Sequence, residues 1–311
     1  GEVLFVHQSI AANHELAKQT GARIVHACGF DSIPSDLGAM LSAGAAAEDG
    51  ATLGRTRLSV RSMRGGFSGG TVDTMRTQVA QMRSDPSTRT VVADPWALAE
   101  GGRPPRRTGS TPPRRGGVAG LVDAVTSRSP VRRDADNGHF TGPFVMSAFN
   151  TRVVARSASL LGYGEDFRYV EYSDYGAGPV GAVTAGAVTA ALGGALAGMA
   201  FAPTRAVLDR VLPAPGEGPS EETMASGRFH MVITAAASNG SRYRTTVAAP
   251  YDPGYGGTAI MLGQSALALV EDGDALPDAT GVLTPASALG QPLVDRLRRH
   301  DFTLETERLP D

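Results

Sequence analysis

Between Pro179 and Pro203 the chain runs for 23 residues, Val180 to Ala202, without a charge. As a helix that run would extend about 35 Å, enough to cross a bilayer, so it must be sheltered by protein or meet lipid. Gly186, Ala190, Gly194 and Gly198 recur every four residues, and Val188, Leu192, Leu196 and Met199 make a bulkier stripe. Small stripes let helices approach closely, in membranes or in tight cores. Ala and Gly dominate the run, and they drive insertion weakly compared with Leu, Ile or Phe. Three placements stay open: a helix buried in this fold or a dimer interface, one that touches a membrane, and one that spans it. Arg205, Asp209 and Arg210 follow and belong in water.

The rest alternates between helical and strand patterns. Residues 6–20 read as an amphipathic helix with Val6, Ile10, Asn13 and Ala17 on one face, stopped at Gly21. Arg23–Cys28 is an apolar run of strand length. Asp31 or Ser32 can cap a helix that starts near Pro34, where a missing N–H costs nothing. This helix–strand–loop–helix order predicts a partial Rossmann-like, doubly wound α/β domain over residues 1–50. Residues 55–63 alternate as a half-buried strand, and a helix is expected over Thr71–Arg83. Thr151–Ala155 and Phe167–Tyr172 read as strands. Residues 228–237 and 241–249 flank Ser238-Asn239-Gly240, a strong hairpin signal. Thr258–Val270 and Pro292–His300 read as helices and Phe302–Glu305 as a last strand.

Arginine and lysine number 29 against 31 acids, a net charge of −2, so no global field favours nucleic acid. Cys28 is the single cysteine, which excludes an internal disulfide and suits the cytoplasm. The six histidines show no metal-ligand spacing, so no metal is expected. Residues 101–117 hold five Arg, four Pro and no acid, and read as an exposed loop.

Three glycine loops could carry chemistry. Gly176-x-Gly178-x-x-Gly181 is a literal GxGxxG between a strand and a helix. Pro179 sits inside it, and no acid closes a second strand about 20 residues on, where ribose hydroxyls would be held. Gly65–Thr71 opens onto a helix and could hold a carboxylate or phosphate, or simply connect two elements. Gly29-Phe30-Asp31-Ser32 follows a strand, at the carboxyl edge where doubly wound sheets bind ligands. Asp31 can equally be only a cap.

The string His26-Ala27-Cys28-Gly29-Phe30-Asp31-Ser32-Ile33-Pro34-Ser35-Asp36-Leu37-Gly38 resembles the GFDSxPxDLG signature of saccharopine-dehydrogenase-like oxidoreductases. Within them it looks like the trans-acting enoyl reductase branch. Ser68-Gly69-Gly70-Thr71, the Gly/Ala-rich segment after Gly176, Asp252-Pro253-Gly254-Tyr255-Gly256 and Gly281-Val282-Leu283-Thr284-Pro285 match in order, so the resemblance covers essentially the whole chain.

The resemblance implies a Rossmann domain for NADP or NAD, whose glycine fingerprint precedes the Gly1-Glu2 position by roughly a hundred residues in such proteins. It also implies a second α/β (α+β) substrate or oligomerisation domain with a mixed sheet over 51–257, and a C-terminal segment, 258–311, that packs back on the first domain. An N-terminally truncated chain is the expectation, with no signal peptide. It implies reduction of an enoyl thioester by hydride delivery to the β-carbon and protonation at the α-carbon, in polyketide-derived lipid or glycolipid synthesis beside a polyketide synthase. Gly29, Phe30 and Asp31 would border the nicotinamide. Ser68, Gly69, Gly70 and Thr71 would offer N–H and hydroxyl groups to the substrate, and Tyr255 is the candidate proton donor. Membrane contact through 180–202, at the inner face of the plasma membrane, and a homodimer are further expectations. The alternative is an inactive membrane- or lipid-associated scaffold of the same fold.

Overall fold

The computed structural model describes residues 2–65, 74, 77, 81, 84–102, 130–135, 137–200 and 218–310. The expected helix over Thr71–Arg83 and the arginine-rich loop therefore lie largely outside the described residues.

Helix α1 (Val3–Thr20) ends at Gly21, whose φ of 75° is a left-handed conformation open to glycine at little cost. Val3, Val6 and Ala17 are buried on its inner face. His14 shares that face; Asn13, expected there, is exposed. The imidazole has work inside, because its Nδ1 accepts the N–H of Val282 at 3.1 Å. Strand β1 is only Arg23–Val25. Ala27 takes a positive φ of 62°, so the strand expected over Arg23–Cys28 stops before His26.

Helix α2 (Ile33–Glu48) and strand β2 (Leu53–Arg64) follow, then α3 (Pro86–Ala93), β3 (Arg132–Arg133) and β4 (Phe140–Pro143). Next comes α4, Ser147–Leu161, a helix where the β-branched run Thr151–Ala155 predicted a strand. Nearly every residue from Phe149 to Ala158 is buried, so no polar face marks the helical period. Packing overrides the weak β preference. The chain continues through β5 (Arg168–Asp174), α5 (Gly178–Ala200), the short α6 (Glu221–Ala225), β6 (Arg228–Ala237) and β7 (Arg242–Ala249). It closes with α7 (Gly256–Glu271), β8 (Gly281–Leu283), α8 (Pro285–Arg298) and β9 (Thr303–Arg308). Helix α8 starts seven residues before the expected Pro292, because Thr284 and Ser287 form a reciprocal capping box. Gly290, at φ 52°, breaks it into two segments, and the sequence pattern reported only the second.

The fold is α/β. Strands β1 and β8 pair in parallel, Ile24 opposite Val282. The larger sheet is mixed and ordered β3-β4-β5-β2-β6-β7-β9. Within it β2 pairs with β5 in parallel and with β6 antiparallel, and the β6–β7 hairpin turns at Gly240, φ 88°. Helix α2 covers one face. Gly38 lets it come close, since a Cβ there would overlap Ile233 Cδ1 and stand 3.1 Å from Val247 Cγ2. Ser42 Oγ and Thr245 Oγ1 share a hydrogen bond across the same contact at 2.7 Å. Leu37, Leu58, Ile233 and Leu289 lie in the core between α2, the sheet and α8. Gly38→Ala is expected to cost about 1–3 kcal/mol by overpacking; an unchanged urea midpoint would contradict the close approach.

On the other face of the large sheet stand Arg55, Arg57 and Arg61, with the buried Ser59 between the last two, while Thr56, Leu58 and Val60 alternate with them. Asp134 pairs with Arg57, Asp174 with Arg61, and Glu307 with Arg244.

Helix α5 contains most of the uncharged run. Its segment Gly178–Ala195 is long and apolar enough to cross a membrane, and only 11% of it is buried within the chain. Ala185 is covered, while Val180 and Val183 are exposed. Among the described residues little of this segment is covered, so a dimer interface, membrane contact and a membrane span stand open.

Candidate functional site

The loop Gly29–Ser32 leaves the carboxyl end of β1 and enters α2. It meets the segment Asp252–Gly257, which leads into α7. Thr258 is the pin: its Oγ1 accepts the N–H of Phe30 at 3.0 Å and donates to the carbonyl of Pro253 at 2.8 Å. Gly29 has no side chain to obstruct this, since a Cβ would stand 3.1 Å from Thr258 Cγ2. The two motifs are joined although 228 residues separate Phe30 from Thr258.

Asp252 organises the second loop. It is 1% exposed, its Oδ2 accepts the Tyr255 N–H at 2.7 Å, and its carbonyl accepts the Gly257 N–H at 2.7 Å. Gly65, at the end of β2, and Gly227, before β6, both press on it. A Cβ on Gly65 would stand 2.7 Å from Pro253 Cδ, and one on Gly227 would overlap the Asp252 backbone. Gly227→Ala is therefore expected to displace the loop and cost about 2–3 kcal/mol. A variant that keeps its thermal midpoint and its Tyr255 environment by NMR would refute this.

The expected site residues divide as follows. Gly29, Phe30 and Asp31 sit in the first loop and Tyr255 in the second, so the pin at Thr258 brings them to one region. Phe30 turns its ring into the core, edge-on to Phe229 at 4.9 Å between centroids, so only its backbone is available to a ligand. Tyr255 is 36% exposed and its hydroxyl lies against Gly218. Ser68, Gly69, Gly70 and Thr71 lie outside the described residues; Gly65, just before them, touches the second loop. Burial pushes the Cys28 thiol up to about 11, which leaves it a poor nucleophile. Among the described residues no group of three His, Cys, Asp or Glu could hold a metal.

Beneath the first loop lies a buried polar network that the sequence did not announce. Ser32 Oγ donates to Asn150 Oδ1 at 3.2 Å, and Asn150 Nδ2 donates to Glu171 Oε2 at 3.1 Å and to Ser35 Oγ at 3.2 Å. Tyr169 donates its hydroxyl to Glu171 Oε1 at 2.9 Å. One turn further along α2, Asp36 accepts the Ala286 N–H at 2.8 Å and the Ser157 hydroxyl. Ser157 also bonds Thr284, the cap of α8, at 2.6 Å. Burial raises Asp36 to about 6 and Glu171 to about 7, and the hydrogen bonds they accept only partly offset it. The Asp in the signature is thus a structural tie between the start of α2 and the start of α8. Its place one turn after Ser32 was the only sequence signal; Asn150 and Glu171 had none. Arg156, 2% exposed, completes the junction by donating to the carbonyls of Val282 and Leu98.

A dinucleotide needs free N–H groups at a glycine turn. At Gly176–Gly181 the turn closes on itself, since a Cβ on Gly181 would overlap the Gly176 carbonyl. The Gly176 N–H is taken by Asp174 Oδ1 at 2.8 Å, and that carboxylate, bound to Arg61 and His139, would repel a phosphate. The literal GxGxxG does not fit a cofactor.

No family model matches the chain. A Mycobacterium tuberculosis protein described as a candidate trans-acting enoyl reductase is 40% identical over 318 residues, which cover 99% of this chain and 73% of that protein. The trans-acting enoyl reductases of Mycobacterium ulcerans and Mycobacterium bovis are each 38% identical, again over 99% of this chain and 73% of their own length.

Proposed function

Because the chain belongs to the trans-acting enoyl reductase family, we propose that it reduces the carbon–carbon double bond of an enoyl thioester presented by another protein. The observation that carries this reading is the junction at Thr258, which holds the first glycine loop against the loop of Tyr255 at the carboxyl end of a parallel strand pair. That edge is where α/β sheets place their ligands. The signature supports membership of the wider saccharopine-dehydrogenase-like oxidoreductases.

NADPH or NADH is the co-substrate we propose, supplying a hydride when bound. The described residues offer no pyrophosphate cradle for it, so no step is derived through it. What this chain contributes is positioning. The backbone of Gly29–Asp31, fixed by Thr258, borders one side of the site. Ser68–Thr71, leading on from Gly65, would contact the thioester. Tyr255 is the proposed proton donor to the α-carbon, held at the head of α7 by Asp252. A polyketide synthase, in lipid or glycolipid synthesis, is the proposed source of the thioester. The exposed apolar helix α5 supports work beside the inner face of the plasma membrane, and a homodimer through it is the competing use.

The test is an NADPH titration of the folded chain, alone and joined to the part of a longer relative that it does not cover. Expected are micromolar binding in at least one of the two forms and NADPH consumption on adding an enoyl thioester. Tyr255→Phe should then slow turnover about 100-fold. No NADPH binding by either form, or binding without any reduction of enoyl thioesters, would overturn the reading.

A further inference from the structure

We propose that Arg64 and Arg228, at the edge where the sheet face opposite α2 meets the Tyr255 loop, form an anion subsite for the phosphate of the pantetheine arm that carries the thioester. The choice of arm rests on the enoyl reductase reading; the anion site itself does not.

The register of β2 and β6 sets Arg64 directly opposite Arg228. Like charges directly opposed across strands destabilise a sheet. Both side chains are exposed, and among the described residues neither has a carboxylate within ion-pair distance. Three other arginines on the same face, Arg57, Arg61 and Arg244, each have a carboxylate partner. The pair is also anchored to the site. Arg64 precedes Gly65 and Arg228 follows Gly227, the two glycines packed on Asp252. Beside them opens a groove of about 460 Å³, whose lining includes Ser62, Ser226, Arg228, His230, Asp301 and Thr303. Two guanidinium groups with hydroxyl and imidazole donors nearby are the chemistry of phosphate recognition. Asp301 sits in the same lining, which directs an anion toward the arginine side.

A thioester delivered by another protein comes on a phosphorylated pantetheine arm, so a phosphate reaches the rim when the acyl end reaches the loops. A phosphate ester could also come from NADPH or from a lipid headgroup, and the experiment separates these sources. Another opposed pair, Arg55 and Arg168, lies nine residues back along β2, roughly 30 Å away at strand rise, and serves as the control.

Calorimetric titration of the whole chain would use phosphopantetheine, pantetheine, NADPH, NADH and vesicles with anionic or zwitterionic lipid. Phosphopantetheine is expected to bind about tenfold tighter than pantetheine. Arg64→Gln and Arg228→Gln should each remove most of that difference, with Arg55→Gln leaving it intact and all variants folded by circular dichroism. Equal binding of the two pantetheines, or an equal loss in Arg55→Gln, overturns the subsite. Arginine-dependent binding of NADPH over NADH, or of anionic vesicles, without a preference for phosphopantetheine overturns the carrier-arm assignment. A persistent phosphate preference in a protein that reduces no enoyl thioester would sink the enzymatic reading and leave the anion site standing.

Discussion

Asp36→Ala is expected to lower the unfolding free energy by about 3–5 kcal/mol. The carboxyl group is fully buried, and its loss strands the Ala286 N–H and takes an acceptor from the Ser157 hydroxyl, which also bonds the Thr284 cap. Each orphaned buried donor costs about 1–3 kcal/mol. Asp36→Asn should cost far less, about 1 kcal/mol, because the amide oxygen still accepts from Ala286 and the NH₂ group can donate to Ser157. Urea unfolding at pH 6 checks both. Asparagine as damaging as alanine would show that the charge, not the hydrogen-bond geometry, holds α2 to α8.

The second large effect is a fall in stability with rising pH. Burial raises Glu171 from its ordinary carboxyl value to about 7, the bonds from Ser35, Tyr169 and Asn150 offsetting only part. The native state therefore binds this proton more tightly than the unfolded chain does. The stability it contributes is complete below the unfolded value near 4.5 and is lost as pH rises through about 7. A shift of that size corresponds to about 3 kcal/mol. Asp36, raised by burial to about 6, acts in the same direction over a lower window, from about 4 to 6. Unfolding curves between pH 4 and 8 should fall for the native sequence, and Glu171→Gln should flatten the upper part of that fall. A native stability that instead rises from pH 5 to 7.5 would show that both carboxyl groups ionise readily in the fold.

How much of this could be read from the chain depends on where the information is stored. The β6–β7 hairpin was legible because Asn239-Gly240 encodes its turn locally. The end of α1 was legible because Gly21 supplies a conformation other residues avoid. Both motif loops were found from their residues. Their meeting at Thr258 was not, because nothing in Phe30 or Thr258 points across 228 residues of chain. Helix α4 was partly misread as a strand because it is buried almost all round, so burial erased the period that marks a helix. Glu171 sits in a strand pattern between two tyrosines, and no local rule shows that Asn150 and Ser35 await it. Ser68–Thr71 were chosen from their glycines, and their side chains fall outside the described residues.

The pairing of β1 with β8 has a consequence in time. Arg23 waits for Gly281, and Asp36 waits for Ala286. During synthesis the first fifty residues therefore leave the ribosome with neither their strand partner nor the amide that Asp36 accepts. At about 5–20 residues per second, that interval lasts roughly 12–50 s. Throughout it, Val25 and the buried face of α2 are exposed to whatever else is in the cell. The large sheet can begin to form earlier, because the β6–β7 hairpin is local, but β9 adds last of the described strands. A chain cut before residue 281 would keep most of its strands and still lose the cradle of its first glycine loop.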